Sequence, residues 1–189
     1  MPFNFPILLT WLRIVLIPLM ICVYYLPNAW LFGVPKDVAA TLVFMVAGFT
    51  DYLDGFLARY LKQTSAFGAF LDPVADKLVV AAALIMLVQL ARLDAILAMI
   101  IIGREITISA LREWMAEIGA RKSVAVSMIG KLKTVAQMLA ITLLLYDVPI
   151  AALDTHFFGT VLMYIAAALT IWSMAYYIYM ALPHLKEKV

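Results

Sequence analysis

Long apolar runs separated by short polar connections set the rhythm of this chain. About six of them reach the roughly 20 residues that a membrane-spanning helix needs. The first covers about 7–26, contains Arg13 and Pro18, and gives way to a stretch broken by Pro27, Gly33 and Pro35. The second runs over about 38–59, with Asp37 placed to cap it. After the polar connection Lys62-Gln63-Thr64-Ser65, the third is predicted to begin at Asp72-Pro73, an acid at the N-cap and proline at the first helical position, and to end near Ala91. The fourth spans about 94–119, the fifth about 123–146 and the sixth about 157–182. No internal repeat or low-complexity tract interrupts this order.

Composition turns these runs into membrane helices. The chain is 66% hydrophobic and 14% charged, with a mean hydropathy of +1.02. Soluble domains use about 45–50% apolar and about 25% charged residues. The expected fold is therefore all-α, a polytopic membrane bundle of about six transmembrane helices with a short N-terminal interfacial segment, forming one integral-membrane domain over 1–189. No basic run precedes the first apolar segment and Arg13 lies inside it, unlike a cleaved signal peptide. The single cysteine, Cys22, forms no intrachain disulfide and gives no redox motif. A net charge of +2 is too small to imply a nucleic-acid partner.

Charge placement orients the bundle. With six spans, one side receives Arg59, Lys62, Lys77, Arg121, Lys122, Lys186 and Lys188, and the opposite connections hold Lys36 and Arg92. By the positive-inside rule both termini and the 60–70 connection face the cytoplasm. Asp51 then lies roughly 16 Å below Lys62, at ~1.5 Å per helical residue. Arg104, Lys131 and Lys133 fall at comparable depth, so acids and cations are expected to share one cavity in the cytoplasmic half.

The acids are the costly feature. A carboxylate in hydrocarbon costs about 2.5–3.5 kcal/mol even on the lenient insertion scale, so Asp51, Asp54, Asp72 and Asp76 together imply a compensating cation and a function. Asp51 and Asp54 stand i,i+3 and Asp72 and Asp76 i,i+4, spacings that put each pair on one helix face. Two facing pairs make an oxygen-only set suited to a hard divalent ion. Each group also has a plainer reading. Asp72 before Pro73 serves as a helix cap, Arg59 and Lys77 as interfacial anchors, and Arg104, Arg112 and Lys131 as partners of Glu105, Glu113 or the aspartates. Met174, Tyr176 and Tyr177 read as lipid-facing or interfacial.

In Asp51-x-x-Asp54-Gly55-x-x-Ala58-Arg59, followed after eight residues by Gly68-x-x-x-Asp72-x-x-x-Asp76, the chain resembles the signature of the CDP-alcohol phosphotransferases at all eight specified positions. Asn4-Phe5-Pro6 through Thr10 to Arg13, Gly103-Arg104-Glu105 to Leu111-Arg112-Glu113-Trp114, and Ser127 to Lys131-x-Lys133-Thr134 resemble the bacterial members whose acceptor is glycerol 3-phosphate. The resemblance implies CDP-diacylglycerol and glycerol 3-phosphate as substrates, two magnesium or manganese ions on the four aspartates, and Asp76 as general base. It implies cytidine near Gly55 and Ala58, with Asp51, Arg59 and Gly68 in the nucleotide site, a homodimer, and a bacterial inner membrane. Gly55 and Ala58 equally suit close helix packing, and Gly68 a turn.

The chemistry follows from charge. A CDP-activated lipid presents a pyrophosphate that must be neutralised before a hydroxyl attacks it, and metal-held carboxylates serve that need. A phosphate-bearing acceptor needs further cations, and Arg104, Arg112, Lys131 and Lys133 are the candidates, with Thr10 and Arg13 weaker ones. No serine–histidine or cysteine–histidine pair appears near the motif, which argues against a covalent intermediate. Two alternatives stay open: the same chemistry on inositol phosphate or serine, and a cation or proton transporter whose intramembrane acids form the path.

Overall fold

The computed structural model describes residues 5–61, 66–119, 128–151 and 153–186; the side chains at 5–7, 54–61, 66, 67, 69, 128, 129, 131 and 184–186 lie outside that description. Six helices follow one another: α1 (Phe5–Tyr25), α2 (Lys36–Leu61), α3 (Ala66–Gln89), α4 (Ala95–Glu117), α5 (Met128–Tyr146) and α6 (Thr155–Lys186). A short 3-10 turn, Asn28–Leu31, links α1 to α2. The one β pairing among the described residues is a single bridge between Ile150 and Leu153. The interfacial segment expected before the first helix falls on residues 1–4, outside the described residues.

This is a helical membrane bundle, with apolar side chains on both its inside and its outside. α1 and α6 hold stretches long and apolar enough to cross a membrane, Leu8–Tyr25 and Thr155–Pro183, and α5 holds the shorter apolar run Leu132–Tyr146. Leu8, Trp11, Leu12, Val15 and Leu19 of α1 point outward, as do Trp172 and Tyr179 of α6. Inside, Met20, Phe44, Leu84, Leu87, Ile101, Ile141, Leu144 and Met163 close one large core. α5 and α6 approach closely, because a Cβ added at Gly159 would stand 2.9 Å from Leu144 Cγ. A small residue there lets the two backbones meet.

Two helix starts differ from the sequence reading. α3 begins at Ala66, so Asp72 and Pro73 are interior positions rather than a cap and first turn. The apolar run 66–71 extends the helix backward, and membrane helices tolerate proline because neighbouring groups satisfy the freed carbonyl. Gly68 thereby sits buried in the first turn of a helix, not in a loop. Asp37 lies inside the first turn of α2 and turns its carboxylate away, accepting from Tyr24 Oη at 3.2 Å and pairing with Arg92 at 2.9 Å. Asp94 does cap α4, accepting from the Ile96 amide at 2.7 Å.

The connections at the far end from the aspartates are tied together by Arg92. Its Nη1 reaches Asp37 Oδ1 at 2.9 Å and the Leu145 carbonyl at 3.0 Å, while its Nε reaches Asp147 Oδ2 at 2.8 Å. Asp147 also holds His156 Nδ1 at 2.8 Å. Burial opposes the charge on Arg92, but the hydrogen bond and charge of Asp37, with Asp147 and Tyr24, outweigh it and raise its pKa above the ordinary arginine value.

Candidate active site

Thr10 and Arg13 stand one turn apart on α1, both buried. Residues so spaced share a helix face, and this face meets the acids. Thr10 Oγ1 donates to Asp72 Oδ1 at 2.5 Å. Arg13 Nη1 lies 2.5 Å from Asp76 Oδ1 and 2.9 Å from Asp51 Oδ1, so one nitrogen joins a carboxylate of α2 to one of α3. The expected proximity of the two acidic segments is thus present for Asp51 and Asp76. Asp54 lies on α2, and its side chain is outside the described residues, as are those of Gly55, Ala58 and Arg59. Thr10 and Arg13 were considered for the acceptor phosphate; the structure puts them on the aspartates.

Asp51 and Asp76 keep 46% and 49% of their side-chain surface exposed. That surface faces a cavity of about 480 Å3, open at one end. α1 supplies Arg13 to its wall, α2 Gly48, α3 Lys77, and α5 Thr134 and Gln137. α4 contributes Glu105, Ser109 and Arg112, whose i,i+4,i+7 spacing makes one continuous face. Lys77, read from sequence as an interfacial anchor, therefore borders the site. Glu105, Ser109 and Gln137 were not singled out as site residues, although the spacing on α4 was visible.

The candidate acceptor cations separate into two sets. Lys133 is buried and hydrogen-bonds Glu105 Oε1. Arg104 is also buried; its Nη1 lies 3.6 Å from the same oxygen, and its Nη2 donates to Ser173 Oγ at 2.8 Å. These two stand behind the wall, gathered on one carboxylate. Arg112 lines the cavity itself and lies over the Tyr177 ring, 4.8 Å from its centroid. The Lys131 side chain is outside the described residues. Tyr177, read as lipid-facing, is fully buried against Ile108, Met115 and Ala181. α6 is apolar nearly all round, so its sequence carried no signal for the inward face.

Whether these residues suit a divalent ion is a question of donors. Asp51 and Asp76 bring carboxylate oxygens to one point already bridged by a positive group, which is the donor type and charge that a hard cation takes. Asp72 lies beside Asp76 one turn earlier on α3. No three carboxylate, imidazole or thiolate groups surround a single point among the described residues, a set that excludes the Asp54 side chain. The described donors fit the group pairwise.

Comparison with known proteins adds the family. The chain is 49% identical to a protein of Haemophilus influenzae over 195 aligned residues, covering 100% of this chain and 99% of that one. It is also 49% identical to a protein of Escherichia coli K12 over 180 residues, 94% of each chain. Both carry the name CDP-diacylglycerol--glycerol-3-phosphate 3-phosphatidyltransferase. The CDP-alcohol phosphatidyltransferase model matches residues 3–172, a span that includes Arg13, the four aspartates and Arg112. With Asp51 of α2 and Asp76 of α3 opening onto one cavity, and this match over most of its length, the chain belongs to the CDP-alcohol phosphatidyltransferase family.

Proposed function

We propose that the protein transfers the phosphatidyl group of CDP-diacylglycerol to glycerol 3-phosphate, giving phosphatidylglycerol phosphate and CMP. The observation that carries this reading is the cavity with Asp51 and Asp76 on one wall and Arg112 on another, in a chain 49% identical to enzymes named for that reaction. The cations around Glu105 favour a phosphate-bearing acceptor over serine, which carries none, and over a cation path. In this reading Asp51, Asp54, Asp72 and Asp76 would hold magnesium or manganese, and the chemistry so supplied would be charge neutralisation at the diphosphate.

The chain's own residues do the rest. Asp76 takes the proton from the attacking glycerol hydroxyl, whose oxygen bonds to the lipid-side phosphorus as the bond to CMP breaks. Asp51, with Gly55, Ala58, Arg59 and Gly68, receives the nucleotide. Arg112, supported by Arg104, Lys131 and Lys133, holds the acceptor phosphate through charge-assisted hydrogen bonds. Arg13 and Thr10 keep the carboxylates of α2 and α3 oriented toward the cavity. The enzyme acts as a homodimer in the bacterial inner membrane, spanning it several times, with both termini and the cavity facing the cytoplasm.

Incubation of the purified protein with CDP-diacylglycerol, a divalent metal and labelled acceptors tests the reaction. A lipid product that depends on glycerol 3-phosphate and appears with CMP is expected; equal use of inositol phosphate, serine or free glycerol would overturn the acceptor. Single cysteines at Lys62 and Lys188 should escape an impermeant thiol reagent in intact cells and one at Lys36 should react, and the reverse pattern would reject the orientation.

A further inference from the structure

Three cations and one carboxylate meet where α4, α5 and α6 pack together. Glu105 is shared between Lys133 and Arg104, which leaves the cluster with an excess of positive charge. Arg112 makes no ion pair among the described residues, and its buried Nε has no hydrogen-bond partner there. What it does meet is an aromatic face. The Tyr177 ring lies 4.8 Å from the Arg112 guanidinium and 5.8 Å from that of Arg104, two turns away on the same helix.

We infer that Tyr177 is a positioning residue for the acceptor: its ring holds Arg112 in the cavity wall without neutralising it, so the guanidinium meets an incoming phosphate with its full charge. The inference rests on the acceptor site proposed above. A ring and a carboxylate fix an arginine in different ways. A carboxylate would occupy the guanidinium fork and compete with phosphate for it. The ring attracts the cation through its quadrupole and leaves the N–H edge open, an attraction that grows where water is excluded. Tyr177 is fully buried, so the contact belongs to that stronger class. The same ring lies within reach of both guanidinium groups, so its negative face offsets part of the repulsion between two like charges. Ser173, one turn earlier on α6, accepts from Arg104 Nη2 at 2.8 Å, so α6 contacts both arginines.

The test uses the full-length protein and its Michaelis constants for the two substrates. Tyr177→Leu keeps an apolar side chain but removes the ring face, and should raise the constant for glycerol 3-phosphate roughly tenfold to thirtyfold while moving that for CDP-diacylglycerol much less. Tyr177→Phe keeps the ring face, and its acceptor constant should stay well below that of Tyr177→Leu. Replacing position 177 with phenylalanines carrying increasing numbers of ring fluorines, which withdraw density from the face at nearly constant shape, should raise the acceptor constant stepwise. A flat response across the fluorinated series, or an unchanged acceptor constant in Tyr177→Leu, would overturn the inference. If the leucine variant does not fold, the fluorinated series decides alone. Arg112→Ala separates the two levels: a raised acceptor constant there with a flat series at 177 leaves the acceptor site standing and removes Tyr177 from it, and an unchanged constant removes the site itself.

Discussion

The two ends of the bundle handle charge in opposite ways. At the end holding the α3–α4 connection, Arg92 bonds Asp37, Asp147 and a backbone carbonyl, and Asp147 completes its own set with His156. At the other end the acids stay half exposed, Arg104 Nε, Arg112 Nε and Gln137 Oε1 are buried without hydrogen-bond partners among the described residues, and two cations share Glu105. Buried polar groups in folded proteins are normally satisfied, so an accumulation of exceptions marks a place kept for something else. The satisfied end ties helices together. Under the function proposed above, the unsatisfied end receives charge from outside.

That contrast is open to direct attack. The largest effect is expected from Asp76→Asn, which should lower turnover by about two to four orders of magnitude by removing the proton acceptor, while thermal unfolding in detergent moves little. Near-normal turnover would remove Asp76 from the chemistry. Next, Arg112→Ala should raise the Michaelis constant for glycerol 3-phosphate by roughly ten- to a hundredfold through loss of a charge-assisted contact, with folding intact. At the opposite end Arg92→Ala should lower stability by about 2 kcal/mol, since Asp37 and Asp147 lose their cation and keep only Tyr24 and His156, yet leave activity per folded molecule near the parent's. A large loss of specific activity with unchanged stability would erase the distinction between the ends. The smallest effect belongs to His156→Ala. Its side chain is half exposed, so losing the bond to Asp147 should cost under about 1 kcal/mol.

Most of the architecture was legible because spanning length and apolar composition leave little besides a helical bundle. What escaped the sequence escaped for physical reasons. Asp72-Pro73 has the form of a helix start, and only the backbone of 66–71 shows that the helix is already under way. The aspartate spacings indicated shared faces, and Asp51 and Asp76 do meet, but the residue that joins them comes from α1, far away in the chain. No local pattern announces such a contact. Among the cations, the sequence favoured Arg112 and Lys131 for the acceptor without showing what holds Arg104 and Lys133; tertiary structure gathers those two on Glu105. Tyr177 was hidden because a helix apolar on every side does not reveal which residues it buries.

Arg13 carries a consequence for how such a site is assembled. A guanidinium does not lose its proton at any physiological pH, and this one sits astride Asp51 and Asp76 as soon as α1, α2 and α3 pack. The two acids therefore never have to face each other bare while the newly made chain settles in the membrane. The bundle carries this counter-charge within its own sequence, on α1, and does not depend on solvent to supply it.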